Sequence, residues 1–399
     1  MSGAALFGAV ALTQPAAAQT VPDDRLGLDF VMELRHDSNI INISPERAEL
    51  RGIKRSDQIA SPALRLNARK TLGQHSLRAA AYAGYDFHAS NSQLNKERLA
   101  LQAGADLNLR PCEISPTIDF SRQRSEFGSL IYVIDPQAAI DNTQTEQSYG
   151  VSASCGGVLG LRPEAGLTYT KGNNSATARK LSDYESVEGR LGIGYRHPSI
   201  GNLSLYFSKQ ETEFDNRIVN GVRERYEVER IGLSVQRDIG ARLAWNGQVY
   251  FVNTSTAFGQ DFEGVGYNVG VSLRVTPQLR ARGDFGRDVQ TSLNNDALYT
   301  VDDSYGLGLD YAVNQWLNLR GGYTLTQRDY TYSEFFGPLP PEVLRDETLH
   351  IVDFGATYRR SERLGFSLFG GYENRSANGT LYDYDGYFVG IGVTVGLLR

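Results

Sequence analysis

At 399 residues with 42 Gly, 22 Tyr and 17 Phe against only 2 Met and 2 Trp, the chain has the balance of many short strands and turns and not of stacked α/β units. Its formal net charge of −6 supplies no basic field to gather nucleic acid or anionic lipid, so nucleic acid is excluded as a partner.

Residues Met1 to Thr13 form a short apolar run that ends at Pro15-Ala16-Ala17-Ala18-Gln19, the order of a signal-peptide apolar region and an A-x-A cleavage site. Residues 1–18 are therefore expected to be a signal peptide and 19–399 one mature domain. No Lys or Arg precedes the apolar run, which points to a start site further upstream. No other stretch approaches about 18 uninterrupted apolar residues. A membrane crossing would have to be made by strands.

From Arg25 onward the apolar period is two. In the segment 76–87, Leu77, Ala79, Ala81, Ala83, Tyr85 and Phe87 share one face and Arg78, Ala80, Tyr82, Gly84 and Asp86 the other. The next segment sets Leu99, Leu101, Ala103, Ala105, Leu107 and Leu109 against Arg98, Gln102, Gly104, Asp106 and Asn108. Val265 to Val275, Tyr305 to Val313 and Tyr387 to Leu397 repeat the pattern.

Connections alternate in length. Short ones at Leu72-Gly-Gln-His75, Arg110-Pro-Cys-Glu113, His197-Pro-Ser199, Asp238-Ile-Gly240, Thr276-Pro-Gln278, Asn314-Gln315 and Ser361-Glu-Arg363 carry turn residues. Long polar ones are expected at 41–57, 125–143, 213–223 and 331–346. This counting gives eighteen strands, with sixteen as the alternative, starting near 26, 58, 76, 98, 114, 144, 161, 184, 203, 225, 243, 262, 279, 297, 316, 347, 364 and 383. The segment 113–124 is the least regular.

So many hairpins in a row cannot stay an open sheet, and closure alone removes every edge. The fold class expected is all-β, a single transmembrane antiparallel up-and-down barrel in the outer membrane of a Gram-negative bacterium, surrounded by outer-membrane lipid. Tyr85, Phe87, Tyr169, Tyr195, Phe251 and Tyr323 are placed in its aromatic girdles. A barrel of this size is wide enough for a channel.

The residues expected to line that channel are Arg78, Tyr82, Asp86, Asp106, Arg190, Tyr206, Tyr250, Arg280, Arg282, Asp284, Asp288, Arg320, Arg328, Asp353, Glu373 and Arg375. The charged ones either solvate the interior in pairs or form the rings that decide which solute passes. Tyr82, Tyr206 and Tyr250 are candidate stacking surfaces for a polymer, or simple filler.

Cys112 and Cys155 lie at strand ends that antiparallel neighbours bring together, and an oxidising compartment favours a disulfide between them. Two Cys without a nearby His make no zinc site. Of the histidines, His75 and His197 fall in periplasmic turns and His36, His88 and His350 toward the outer rim. A His350–Asp353 couple is the one catalytic arrangement to consider, and no G-x-S-x-G or H-E-x-x-H motif accompanies it. Asp302-Asp303 and Asp383-Tyr-Asp385 could hold Ca²⁺ or only solvate loop bases. No catalytic residue, metal or cofactor is assigned.

The phrase Leu34-Arg-His-Asp-Ser-Asn-Ile40, the strand Ser56-Asp-Gln-Ile-Ala-Ser-Pro-Ala-Leu-Arg-Leu66, the strand reaching Tyr85, and the turns at Pro111-Cys112 and Cys155-Gly-Gly157 resemble the β-barrel porin type 2 family. The resemblance spans the mature chain. It implies an outer-membrane barrel that guides a surface exopolysaccharide outward, and it brings no catalytic residues. No tetratricopeptide stretch is visible in the sequence, so a periplasmic polysaccharide-export protein is the partner this reading expects, besides the barrel-assembly machinery that inserts the amphipathic last strand. The leading expectation is thus a conduit for exopolysaccharide export. A general diffusion porin for small solutes and a rim-located hydrolase are the alternatives.

Overall fold

A computed structural model describes residues 24–125, 142–219, 221–291, 297–333, 343–379 and 382–398. The expected signal peptide and most of the connections 125–143 and 331–346 lie outside the described residues.

The strands are β1 (Arg25–Asp37), β2 (Asp57–Leu72), β3 (His75–His88), β4 (Lys96–Leu109), β5 (Cys112–Arg124) and β6 (Thr143–Cys155). They continue as β7 (Gly160–Asn174), β8 (Tyr184–His197), β9 (Gly201–Val219), β10 (Val222–Ile239), β11 (Leu243–Thr256) and β12 (Phe262–Arg274). The last six are β13 (Leu279–Gln290), β14 (Ala297–Ala312), β15 (Leu317–Tyr332), β16 (Asp346–Arg359), β17 (Leu364–Ala377) and β18 (Tyr384–Leu398). Each pairs antiparallel with its sequence neighbours, and β18 closes on β1 from Leu28↔Leu398 to Asp37↔Phe388. The result is a closed up-and-down barrel of eighteen strands, one of the two counts expected.

The outer face is apolar because nothing but lipid covers it. Leu191, Ile193, Leu205, Ile231, Val249, Phe251, Leu307, Leu309 and Ile391 all stand exposed on alternate positions, which in water would be an untenable patch. Tyr85, Phe87, Tyr195, Phe251 and Tyr323 share that face, as girdle residues do. Turns of two to four residues join the strands at one end and longer segments join most of them at the other, so the short-turn end is periplasmic.

Two local departures have physical causes. The irregular segment 113–124 is a full strand, and its weak pattern traces to Pro116: the β4–β5 ladder breaks between Gly104↔Thr117 and Leu107↔Ile114, where proline has no N–H to give. The expected loop 213–223 is not a loop. β9 and β10 run on through it to a hairpin with Gly221 at φ 79°. There Lys209, Glu211, Glu213, Arg225, Glu227 and Glu229 occupy the outer positions and pair with one another, as in Lys209–Glu229 at 3.5 Å and Arg225–Glu211 at 3.1 Å. These strands continue past the membrane, so their outer face turns from apolar to charged.

Candidate functional site: the barrel lumen

Which face points inward is settled by contacts between strands that are not neighbours. Arg230 of β10 reaches Asp288 of β13, with Nη2 3.1 Å from Oδ1. Tyr226 of β10 meets Tyr299 of β14 at a ring-centroid distance of 5.9 Å. Only the concave side of a closed sheet permits this. All sixteen residues expected to line the channel stand at positions of this inward face, by their alternation with the exposed apolar set. Their surroundings differ greatly.

The extracellular half on the β8–β14 side is filled. Tyr184, Tyr206, Phe214, Tyr226, Val228, Tyr250, Val252, Leu298 and Tyr299 form one buried apolar cluster. Arg190 lies 3.7 Å over the Tyr206 ring, and the Tyr206 hydroxyl donates to Gln248. With only 4% and 3% of their surface exposed, Tyr206 and Tyr250 are packing residues and not open stacking platforms. Tyr82 is half-buried beneath Arg98, 5.4 Å from its ring.

Beside that cluster runs a chain of buried charges. The Arg328 fork binds Asp302 through Nε at 2.9 Å from Oδ1 and Nη2 at 2.9 Å from Oδ2, and its Nη1 reaches Glu347 Oε1 at 2.7 Å. Arg375 closes the chain on Glu347 Oε2 at 2.6 Å. Four neighbouring strands, β14 to β17, each contribute one member, and alternating sign is what lets all four be buried together. Arg328 and Arg375 were expected here. Asp302, Glu347 and Arg230 were not, although each has the inward parity that would have pointed to it.

The extracellular mouth is covered by folded connections. Between β1 and β2 a short helix α1 (Pro45–Leu50) starts at Ser44, whose hydroxyl accepts from the Arg47 amide. Ile40, Ile41, Ile43, Ala48 and Ile53 bury themselves there with Ile59 and Leu94. Arg51, after that helix, is held down to about 10, first by burial and then by the Arg47 and Arg179 guanidiniums. The β9–β10 hairpin bends inward as well: Arg217 and Glu224, both fully buried, pair at 3.1 Å. Arg217 also donates to the Leu181 carbonyl at 2.6 Å and lies 3.9 Å over the Phe214 ring.

The periplasmic half is open. A cavity of about 1750 Å³ extends from the periplasmic turns along β13 to β18, β1 and β2. Its wall is thin because glycines hold many of the inward positions, among them Gly306, Gly308, Gly322 and Gly355. Side chains on neighbouring strands lie down over them: a Cβ on Gly355 would be 2.7 Å from Arg320 Nε. Of the expected residues, Arg282, Asp284, Arg320, Asp353 and Glu373 line this cavity, and Arg280 precedes Arg282 by two residues at the periplasmic end of β13. Arg78 pairs with Asp106 at 2.7 Å, and Asp86 with Arg98 at 3.1 Å.

The alternatives to a conduit find no support in this geometry. His350 faces outward, where Nδ1 meets the Tyr323 hydroxyl at 2.9 Å, while Asp353 faces the cavity. They stand on opposite faces of β16, so a rim His–Asp couple is not formed. Asp302 and Asp303 likewise divide, Asp302 inward to Arg328 and Asp303 outward to Arg287 at 3.5 Å. Asp383 accepts from the Ala377 amide at 2.8 Å, and among the described residues no group of three or more His, Cys, Asp or Glu is placed to hold a metal. Cys112 and Cys155 are direct register partners and form a disulfide at the periplasmic end of β5 and β6.

No family model matches the chain, and no curated protein matches it. Among solved structures it is similar to Pseudomonas aeruginosa OccK2 (OpdF) in complex with glucuronate, at 12% identity over 94% of this chain and 98% of that one, with a TM-score of 0.47. It is similar too to a BenF-like porin from Pseudomonas fluorescens Pf-5, at 12% identity over 93% and 99% of the two chains and a TM-score of 0.46. The siderophore receptor PirA from Pseudomonas aeruginosa matches at 11% identity over 94% and 81%, with a TM-score of 0.42. No residue role is carried over from any of them.

Proposed function

We propose that the barrel is a passive, porin-like conduit for small hydrophilic solutes, with a wide vestibule open to the periplasm and a constriction beneath its folded extracellular end. The observation that carries this reading is the cavity of about 1750 Å³ walled by inward glycines; nearer the extracellular ends of the same strands, β14 to β17, stands the buried Asp302–Arg328–Glu347–Arg375 chain. Charges fixed at a constriction select by sign and size. Glycine positions behind them keep the approach wide.

Export of a surface polysaccharide is the second reading. In its favour stands the position of the vestibule, which faces the compartment from which a polymer would come. Against it, Tyr206 and Tyr250 are buried in the interior cluster and offer a passing sugar no ring face.

Single-channel recording of the refolded barrel in a planar bilayer tests the first reading. The wild type is expected to give a small steady conductance, and Arg328→Ala to raise it several-fold. A barrel silent in both forms sinks the solute-channel reading and leaves the polymer path, which needs its periplasmic partner.

A further inference from the structure

Most inward aromatic side chains of this barrel are buried in the clusters of its extracellular half. Phe369 of β17 and Phe388 of β18 are not: both stand on the inward face, half-buried, and line the periplasmic cavity. Among the described residues, theirs are the aromatic rings on the inward wall of that cavity. Their centroids are 6.5 Å apart and the ring planes meet at 49°. Each ring lies over a glycine of the other strand. A Cβ on Gly390 would be 2.5 Å from Phe369 Cζ, and one on Gly371 would be 2.8 Å from Phe388 Cε1. With no side chain beneath them, the two rings settle against the wall and form an apolar ledge. It lies between the periplasmic turns and Arg375, which stands farther along β17.

Polar groups of both signs edge this ledge. Arg320 lies across Gly355, the register partner of Phe369, with Nε 2.7 Å from where a Cβ would stand. Asp353 is directly opposite Gly371, which is itself opposite Phe388. Ser367 of β17 and Glu33 of β1 flank Gly392 of β18 from its two sides. Arg320, Asp353 and Glu33 form no ion pair among the described residues. Arg35, paired with Asp37 at 3.4 Å, stands 5.9 Å from the Phe388 centroid, at the limit of a cation–π contact. Along the whole cavity lining, Asp and Glu equal Lys and Arg in number, so its field favours neither sign of solute.

We infer that the Phe369–Phe388 ledge is a binding site for an uncharged pyranose sugar. Such a ring has an apolar side of C–H groups, which the negative faces of the two phenyl rings attract. Its edge carries hydroxyls that both donate and accept, so one ligand satisfies Asp353, Glu33 and Ser367 together with Arg320. A few fixed polar groups around an apolar surface are what orient a bound solute. An anion would gain Arg320 and meet Asp353 and Glu33 as well. A purely aromatic solute would cover the rings and strip water from those charges without replacing its hydrogen bonds. The site deepens the conduit reading by giving it a substrate class, and it rests on that reading only for its use, since binding is measured without transport.

Saturation-transfer difference NMR tests it, with the refolded barrel in nanodiscs of deuterated lipid and saturation applied to protein methyl groups. The probes are cellobiose, glucuronate, benzoate and sorbitol, which has the hydroxyls of a sugar and no ring face. Cellobiose is expected to bind tightest and to receive its saturation at the ring C–H protons, and sorbitol to receive none. Phe369→Leu combined with Phe388→Leu keeps the site apolar and should weaken cellobiose about tenfold. Asp353→Ala should weaken it several-fold and Asp353→Asn, whose amide still accepts, only slightly. Phe251→Leu on the lipid face should change nothing. No binding of cellobiose, equal binding of sorbitol, tighter binding of glucuronate or benzoate, or full affinity in the double Phe variant overturns the inference. The ranking of probes on the wild type needs no variant to fold. A barrel that conducts without binding cellobiose sinks the sugar site alone, and one that binds it but stays silent in the bilayer sinks the conduit reading alone.

Discussion

Two sectors of the lumen wall share one outer pattern and have opposite interiors. On β8 to β11 the inward positions carry Tyr206, Tyr226, Val228, Tyr250 and Val252, all buried. On β14 to β16 the inward positions nearer the periplasm carry Gly306, Gly308, Gly322 and Gly355, and the cavity lies against them. Lipid dictates the outward residues of both sectors alike. The inward residues are under no such rule, so the distinction between a filled wall and an open one is where this barrel's function is written.

The largest effect should come from the filled side. Glu224 and Arg217 are both fully buried and 3.1 Å apart, and they hold the β9–β10 hairpin against the interior. Glu224→Gln leaves a buried guanidinium without its counter-charge, a loss of about 3–5 kcal/mol for pairs of this kind. The thermal midpoint of the refolded barrel should drop accordingly. Replacing both, as Arg217→Met with Glu224→Leu, should recover most of it. A single variant that melts with the wild type would show that the hairpin is held by something else.

The two sectors also differ in how far the sequence discloses them. The barrel is legible because lipid imposes a strict period of two, and the eighteen expected strand starts fall within three residues of those observed, the widest gap being at β10 (Val222–Ile239). That same rule explains the one misread segment. Above the membrane, Glu213, Asp215, Asn216, Arg217 and Arg223 stand in place of an apolar stripe, so a strand looks like a polar loop. For the lumen, alternation assigns each residue a face and no more. Arg328 could be placed inward, but its partners Asp302 and Glu347 come from strands whose register no pattern discloses. Tyr226 against Tyr299 spans four strands, and curvature alone brings them together.

Next in size is the covalent tie at the periplasmic end, which belongs to neither sector. The Cys112–Cys155 disulfide spans 43 residues and restricts the unfolded chain. Replacing both cysteines by serine should lower stability by about 2–4 kcal/mol without altering conductance, since the bond lies away from the constriction. An altered single-channel trace in the double variant would mean that the β5–β6 end also shapes the passage.

A smaller, paired test sets the sectors against each other directly. At Gly232, in the filled wall, an added Cβ would stand 2.5 Å from the Tyr250 Cβ and 2.6 Å from the Val249 carbonyl oxygen. Backbone cannot give way cheaply, so Gly232→Ala should cost about 1–3 kcal/mol through overpacking. At Gly308, in the open wall, the nearest atoms to such a Cβ are 3.9 Å and 4.0 Å away. Gly308→Ala should leave the midpoint nearly unchanged. Equal losses at both sites would erase the distinction between filled and open walls.

The smallest effect sharpens the comparison at its extracellular border, where the β7–β8 connection covers the filled sector. Burial raises the Asp183 carboxyl above its ordinary value of 3.8, against donations from the Asn174 amide and side chain that pull it down. An acid raised in the folded protein binds its proton before the unfolded chain does as pH falls. The penalty for carrying Asp183 charged is therefore fully present at neutral pH. It is relieved as pH drops through the raised value, and the gain levels off below 3.8. Stability measured by denaturant titration should rise slightly over that window once the changes shared with Asp183→Asn are subtracted, because asparagine cannot titrate. A difference curve that is flat, or that slopes the other way, would mean that solvent reaches this carboxyl and that the cover over the filled sector is looser than its packing indicates.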